Sequence, residues 1–343
     1  MDYEEYFDSL IEKDLYSEKD EIIRILKDNP DNESIKNYGI EDLIFEFLLA
    51  LNEKDDYASI VRLENILAEH YPNTHEEEFG QFADILIPYY VSTRQESKAK
   101  SIFDKWIEIG YDYDSILITL NRLVHYGKES WIEEYIEKEY FNIKTSPNLI
   151  SGAEEDLHFY KLMIEIGKIN TGVKSIDEAS EELGKYDLEI SERYQKILEG
   201  LDQGLNFKND RGDYILGIVN DFQNYLNSKY DVPYLESGIV MKALTDYFEN
   251  SKYSDLVTYF KIRENSFERH MYENSINGMS LNTESNYCML YYLPVFHRFL
   301  TEKKIFTEDD FEKEGEKISS VTRKFRKEYP KKAWILDKLK SNK

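Results

Sequence analysis

Apolar residues recur along most of this chain at helical spacing. Between residues 95 and 110 they are Ala99, Ile102, Phe103, Trp106 and Ile107, and between 113 and 126 they are Tyr113, Ile116, Leu117, Leu120, Leu123 and Val124. Trp131, Ile132, Tyr135, Ile136 and Tyr140 continue the pattern, and Tyr57, Ile60, Val61, Ile66 and Leu67 precede it. Each set lies on one face of a helix, with Lys, Glu and Asp on the other. Strict alternation, the mark of a half-buried strand, is scarce, and so are the Gly (15) and Pro (7) of tight hairpin turns.

The pattern predicts helices over 2–13, 17–28, 40–53, 55–70, 75–91, 95–110, 113–126, 129–140, 154–167, 175–187, 189–203, 212–228, 235–249, 252–263, 284–302 and 308–328, with a short one at 332–340. Starts are marked by pairs three residues apart, in which a hydroxyl accepts from a first-turn amide and an acid reaches back: Thr74 with Glu77, Ser175 with Glu178, Ser17 with Asp20 and Thr307 with Asp310. Stops fall at Asn29-Pro30, Tyr71-Pro72, Gly110, Gly127 and Tyr329-Pro330. The expected fold is all-α, an α-solenoid of antiparallel helix pairs without a β-sheet. Residues 142–153 gather Pro, Gly, Ser and Asn, which suggests an N-terminal helical half over 1–145 and a C-terminal half over 154–343.

Tyr90, Ala99 and Phe103 place an aromatic, a small residue and a Phe at the intervals of a tetratricopeptide repeat. Tyr247 and Phe260 repeat the aromatic spacing, and Ile102 and Ile136 are 34 residues apart, one repeat length. Over these two or three helix pairs the chain resembles the tetratricopeptide-repeat superfamily. It departs from the pattern at Ala83, Ile87, Tyr111 and Leu256. The resemblance implies a degenerate solenoid of that kind and names no partner.

Charge then narrows the function. The 343 residues hold 43 Lys and Arg against 68 Asp and Glu, a net of −25. That balance argues against direct nucleic-acid contact through the body of the protein, because phosphate binding needs clustered basic residues. The charge is uneven, since residues 320–343 hold nine Lys or Arg and two Asp or Glu. The start, MDYEEYFDSL, is acidic where a secretory leader is basic and then apolar. No apolar run reaches the ~20 residues of a membrane span. The expected setting is the cytoplasm, with no membrane partner.

No catalytic motif is present. There is no G-x-S-x-G elbow, no P-loop, no G-x-G-x-x-G and no H-E-x-x-H. The one cysteine, Cys288, lies in the apolar run CMLYYLPVFHRFL, which suggests a buried, inert thiol, and the nearest possible base is His297. Glu155 and His158 have the spacing of half a di-iron site without the other half. The expectation is a non-catalytic protein with no metal and no cofactor.

Three features remain as candidates for binding. The tyrosine-rich points Tyr89, Tyr90, Tyr135, Tyr291 and Tyr292 suit a peptide-holding concave surface, or ordinary helix packing. Pro294, inside a helical pattern, kinks a core helix or shapes a pocket. The basic residues Arg323, Lys324, Arg326, Lys327, Lys331 and Lys332 suit contact with nucleic acid, an anionic membrane or an acidic partner, or a capping helix laid on the chain's own acidic body. The favoured function is protein or peptide binding through an acidic and aromatic groove, with acidic residues steering a basic partner. The alternative is an acidic inhibitor or immunity-type protein that neutralises a basic, nucleic-acid-binding partner.

Overall fold

The computed structural model describes residues 6–7, 9–10, 14–30, 35, 40–109, 113–145, 153–200, 206–249, 255–276 and 283–328. These residues form helices and turns, and no strand occurs among them. The chain divides into two compact units, Met1–Thr119 and Leu120–Lys343. Residues 146–152, at the centre of the boundary suggested by composition, lie outside the described residues, as does the short helix expected at 332–340.

The first unit is built from α1 (Lys19–Asp28), α2 (Glu41–Glu53), α3 (Tyr57–His70), α4 (Pro72–Glu77), α5 (Phe79–Ser92) and α6 (Glu96–Ile109). α3 begins where the Asp56 carboxylate accepts from the Ser59 amide, satisfying an amide that the helix cannot. It packs on α1, α2 and α5. The Tyr71 hydroxyl, donating to the Leu26 carbonyl at 3.0 Å, ties its end to the end of α1. α5 and α6 form the tightest hairpin, joined through Arg94 at φ 60°. Ala99 and Phe103 of the repeat-like triad are fully buried there, and Tyr90 nearly so.

The expected single helix at 75–91 is two. Pro72 opens α4 with its φ already set for a helix, so Thr74 lies inside the element and bonds Glu41 rather than capping. Ser17 likewise bonds the Asp14 carbonyl instead of pairing with Asp20. The other two boxes form as expected, Ser175 with Glu178 and Thr307 with Asp310.

α7 (Tyr113–His125) leads into the second unit, which continues with α8 (Glu129–Lys144), α9 (Ala153–Asn170), α10 (Ile176–Gly184), α11 (Glu192–Leu198), α12 (Arg211–Tyr230), α13 (Tyr234–Glu249), α14 (Leu256–Tyr259), α15 (Glu264–Ile276), α16 (Thr283–Glu302) and α17 (Glu308–Glu328). Of the expected helix at 252–263, the described residues 255–263 form only the single turn α14. α15, absent from the reading of the sequence, follows it, and it buries only Phe267 and Met271 among its described side chains. Its four apolar residues, Phe267, Met271, Tyr272 and Ile276, include no pair three or seven apart, too thin a stripe to show helical periodicity.

Two helices organise this unit. α13 packs on α9, α12 and α16, and α16 packs on α12, α13, α15 and α17. The core between them is aromatic, with Phe222, Phe248, Phe260, Phe296 and Phe299 in tilted and edge-on contact. α9 approaches α13 so closely that a Cβ at Gly167 would sit 2.7 Å from the Tyr234 Cβ. Gly167→Ala gains up to about 1 kcal/mol of helix propensity but incurs overpacking of about 1–3 kcal/mol. A thermal melt is expected to show a lower midpoint for this variant.

Candidate functional site

α16 and α17 are joined by a short turn in which Lys304 takes φ 59°. The amides of Ile305 and Phe306 donate to the Leu300 carbonyl at 2.8 and 3.2 Å, closing the end of α16. The Thr307–Asp310 box then starts α17. The hairpin sets one face of each helix against the other. Leu290, Tyr291 and Pro294 of α16, with Ile318, Ser319, Thr322, Arg323 and Arg326 of α17, line a groove of about 490 Å³. The α17 set from Ser319 to Arg326 follows the i, i+3, i+4, i+7 spacing of a single helix face.

Its chemistry is divided. Leu290 and Ile318 are buried and make an apolar floor, while Tyr291 stands 41% exposed on the wall. Pro294 has no amide hydrogen, so it cannot give the Leu290 carbonyl, one turn before it, the usual helical hydrogen bond. Among the described residues the lining includes two guanidinium groups and no carboxylate. The cleft lined by Lys261, Glu264, Asp310, Lys313, Glu314 and Lys317 differs in composition, because it mixes lysines with carboxylates. Lys261 pairs with Asp310 at 2.6 Å and holds that carboxyl down at about 2. Lys317 pairs with Glu314 at 2.6 Å.

The tyrosines singled out in the sequence separate by face. Tyr291 is in the groove wall. Tyr292, Tyr135 and Tyr90 are buried, and Tyr89 is half-buried, stacked on Tyr57 at 4.4 Å. Neighbours on a helix diverge by about 100°, so tyrosines adjacent in sequence cannot share one face. Of the basic residues, Arg323 and Arg326 reach the groove, Lys324 pairs with Glu268 at 2.6 Å, and Lys327 is exposed outside it. Lys331 and Lys332 lie outside the described residues.

The other face of α16 holds the chain's one thiol. Cys288 is fully buried, and its Sγ lies 3.0 Å from Nδ1 of His125, the last residue of α7. His297, the base suggested by sequence, is nine residues further along the same helix. That is about 13.5 Å of rise and a half-turn out of phase, and His297 is instead buried between Phe296 and Phe306. Glu236, in the first turn of α13, brings its carboxylate to the same point. It accepts from the Tyr292 hydroxyl at 3.0 Å. Burial, and then the Glu236 charge beside it, push the Tyr292 hydroxyl well above the usual phenol range.

The local sequence explains why these groups meet. Gly127 takes φ 70° and reverses the chain after His125. The amides of Gly127 and Lys128 close α7 on the carbonyls of Val124 and Leu123. α8 then opens with Glu129, which accepts from the Leu235 amide at 3.0 Å. One carboxylate therefore satisfies an amide at the start of α13 and fixes the residue beside Glu236. Burial raises the Glu129 carboxyl, opposed by the Leu235 amide and assisted by the charges of Glu133 and Glu236.

No protein-family model matches the chain, and no curated protein or solved structure matches it either. No helix among the described residues is long and apolar enough to cross a membrane.

The functional reading therefore rests on the two faces of α16. The outer face offers an accessible groove with anion donors. The inner face offers a thiol, an imidazole and a carboxylate that a large substrate cannot reach, since all three residues are buried. His158, weighed as half of a metal site, pairs with Glu154 one turn earlier at 3.4 Å.

Proposed function

We propose that the chain is a non-catalytic binding protein, and that its groove between α16 and α17 takes an acidic segment of a partner protein. An aliphatic or aromatic side chain of the segment rests on Leu290 and Ile318 against the Tyr291 ring. A neighbouring Asp or Glu carboxylate is held by Arg323 and Arg326, whose planar donors match carboxylate geometry. The observation that carries the reading is the lining itself, which combines an exposed aromatic, an apolar floor and two guanidiniums. Exposed aromatic and Arg side chains are the types that dominate interface energies.

The chain's net charge of −25 opposes an acidic partner at long range. Screening at physiological salt confines that field to about 8 Å, and within this distance the two guanidiniums decide the sign. The tetratricopeptide-like pairing of α5 and α6 belongs to the same proposal, as scaffold and not as the contact surface. Support for it comes from the buried triad Tyr90, Ala99 and Phe103.

Selection from a random peptide library displayed on phage, with the full chain as bait, tests the proposal. The expected result is enrichment of peptides with Asp or Glu beside Leu, Phe, Tyr or Trp. Arg323→Glu is then expected to weaken a selected peptide by roughly tenfold or more, about 1.4 kcal/mol. Enrichment of Lys- and Arg-rich peptides would contradict the groove and support binding by the acidic body.

A further inference from the structure

We infer that Cys288, His125 and Glu236 form a transition-metal site of the zinc class in the core of the second unit. The three residues come from three helices, α16, α7 and α13, and all are buried. Sγ, an imidazole nitrogen and a carboxylate oxygen lie within 4.8 Å of one another. A tetrahedral zinc ion has bonds of about 2.3 Å to sulfur and about 2.0 Å to nitrogen or oxygen, which places its ligand atoms roughly 3.3–3.8 Å apart. The Sγ–Nδ1 distance of 3.0 Å needs to open by only about half an ångström to reach that range.

The donor set selects the ion. A thiolate excludes magnesium and calcium, which take oxygen ligands. One sulfur, one nitrogen and one oxygen suit zinc or its spectroscopic substitute cobalt, which accept mixed tetrahedral sets. The surroundings hold the ligands as metal sites require. The Tyr292 hydroxyl donates to Glu236 and orients its carboxylate. Glu129 fixes Leu235, the residue before Glu236. Gly127 fixes the turn that follows His125.

Two other uses of the trio fit less well. A nucleophilic thiol needs an approach for its substrate, and Cys288 is 0% exposed in the apolar core. Purely structural hydrogen bonds, Cys288 with His125 and Tyr292 with Glu236, account for the groups in pairs but give no role to the convergence of sulfur, nitrogen and carboxylate oxygen on one point. On this reading the ion ties α7, α13 and α16 together, so it contributes to folding in the way structural zinc does.

The chain has a single cysteine, so a thiolate signal from a bound metal has one possible source. The test is titration of the chelator-treated full chain with cobalt(II), followed by absorbance and by native mass. The expected result is one equivalent of cobalt with a thiolate-to-cobalt charge-transfer band and tetrahedral ligand-field bands, both removed by added zinc. Tyr292→Phe, which leaves the three ligands in place, is expected to weaken binding about 10–100-fold. Cys288→Ser is expected to lose the charge-transfer band. Should that variant fail to fold, the wild-type spectrum still decides. Cobalt bound without a thiolate band marks adventitious binding to surface carboxylates and overturns the site, as does a folded wild-type chain that binds no cobalt.

Discussion

Glu165→Leu is expected to destabilise the second unit by about 3–5 kcal/mol, a large fraction of the 5–15 kcal/mol typical of a whole domain. Glu165 is fully buried in α9 and is met by three lysines, Lys161 at 3.2 Å, Lys168 at 3.2 Å and Lys174 at 2.6 Å. Lys161 is itself 1% exposed, lies over the Tyr186 ring, and has a second acid in Glu182 at 3.3 Å. Lys168 also pairs with Glu133 of α8. The carboxylate thus joins α8, α9 and the segment leading into α10. Burial alone raises a carboxyl, but the Lys174 hydrogen bond and the charges of Lys161 and Lys168 outweigh it and hold Glu165 below the ordinary range. Removing Glu165 leaves Lys161 buried with only Glu182 as its acid among the described residues. The double variant Lys161→Met/Glu165→Leu removes both buried charges and is expected to cost less than Glu165→Leu alone. Urea denaturation of the three proteins measures the difference. Equal midpoints for wild type and Glu165→Leu would refute the network's role.

Acid is expected to destabilise the chain well above the pH at which ordinary carboxylates titrate, and His297 is the reason. The ring is 1% exposed among aromatic neighbours. Burial, and next the opposing contact with the Phe260 backbone, leave it lowered to about 3 from 6.5. In the unfolded chain the imidazole takes a proton as pH falls through about 6.5, while in the folded chain it stays neutral down to about 3. The unfolded state therefore binds more protons throughout that window. Stability is full above pH ~6.5 and falls as pH drops toward ~3, by about 4 kcal/mol at the lower end. Asp310, held down at about 2 by Lys261, adds its own loss lower still. His297→Leu replaces the imidazole with an apolar side chain and is expected to flatten the curve between pH 6.5 and 3. Thermal midpoints of the two proteins at half-unit pH steps read this directly, and parallel curves would assign the acid sensitivity elsewhere.

The helices were legible in the sequence because each buries one broad stripe. Residues 308–328 are a helix with the expected bounds, since Thr307–Asp310 caps the start. α15 was not legible, because among its described side chains only Phe267 and Met271 are buried. The parts of the groove were visible singly: Pro294, Tyr291 and the basic run were each conspicuous. Their juxtaposition was not, because it depends on the phase of α16 against α17. The Cys288 partner was out of reach for a different reason. His125 is 163 residues away, and nothing local to either residue marks the other. The signal that was available and unused is the tyrosine doublet. Tyr291 and Tyr292 differ by about 100° around the helix, so one had to face the interior, and that one is Tyr292.

The most direct test of the groove replaces Tyr291 with the photo-crosslinking residue p-benzoylphenylalanine and exposes the full chain to a library-selected acidic peptide. Replacement of Tyr89, stacked on Tyr57 in the first unit, serves as the comparison. The groove predicts a crosslink from position 291, none from position 89, and loss of the first when Arg323→Glu is added. A crosslink from position 89 and none from 291 would contradict it and move the contact surface to the first unit.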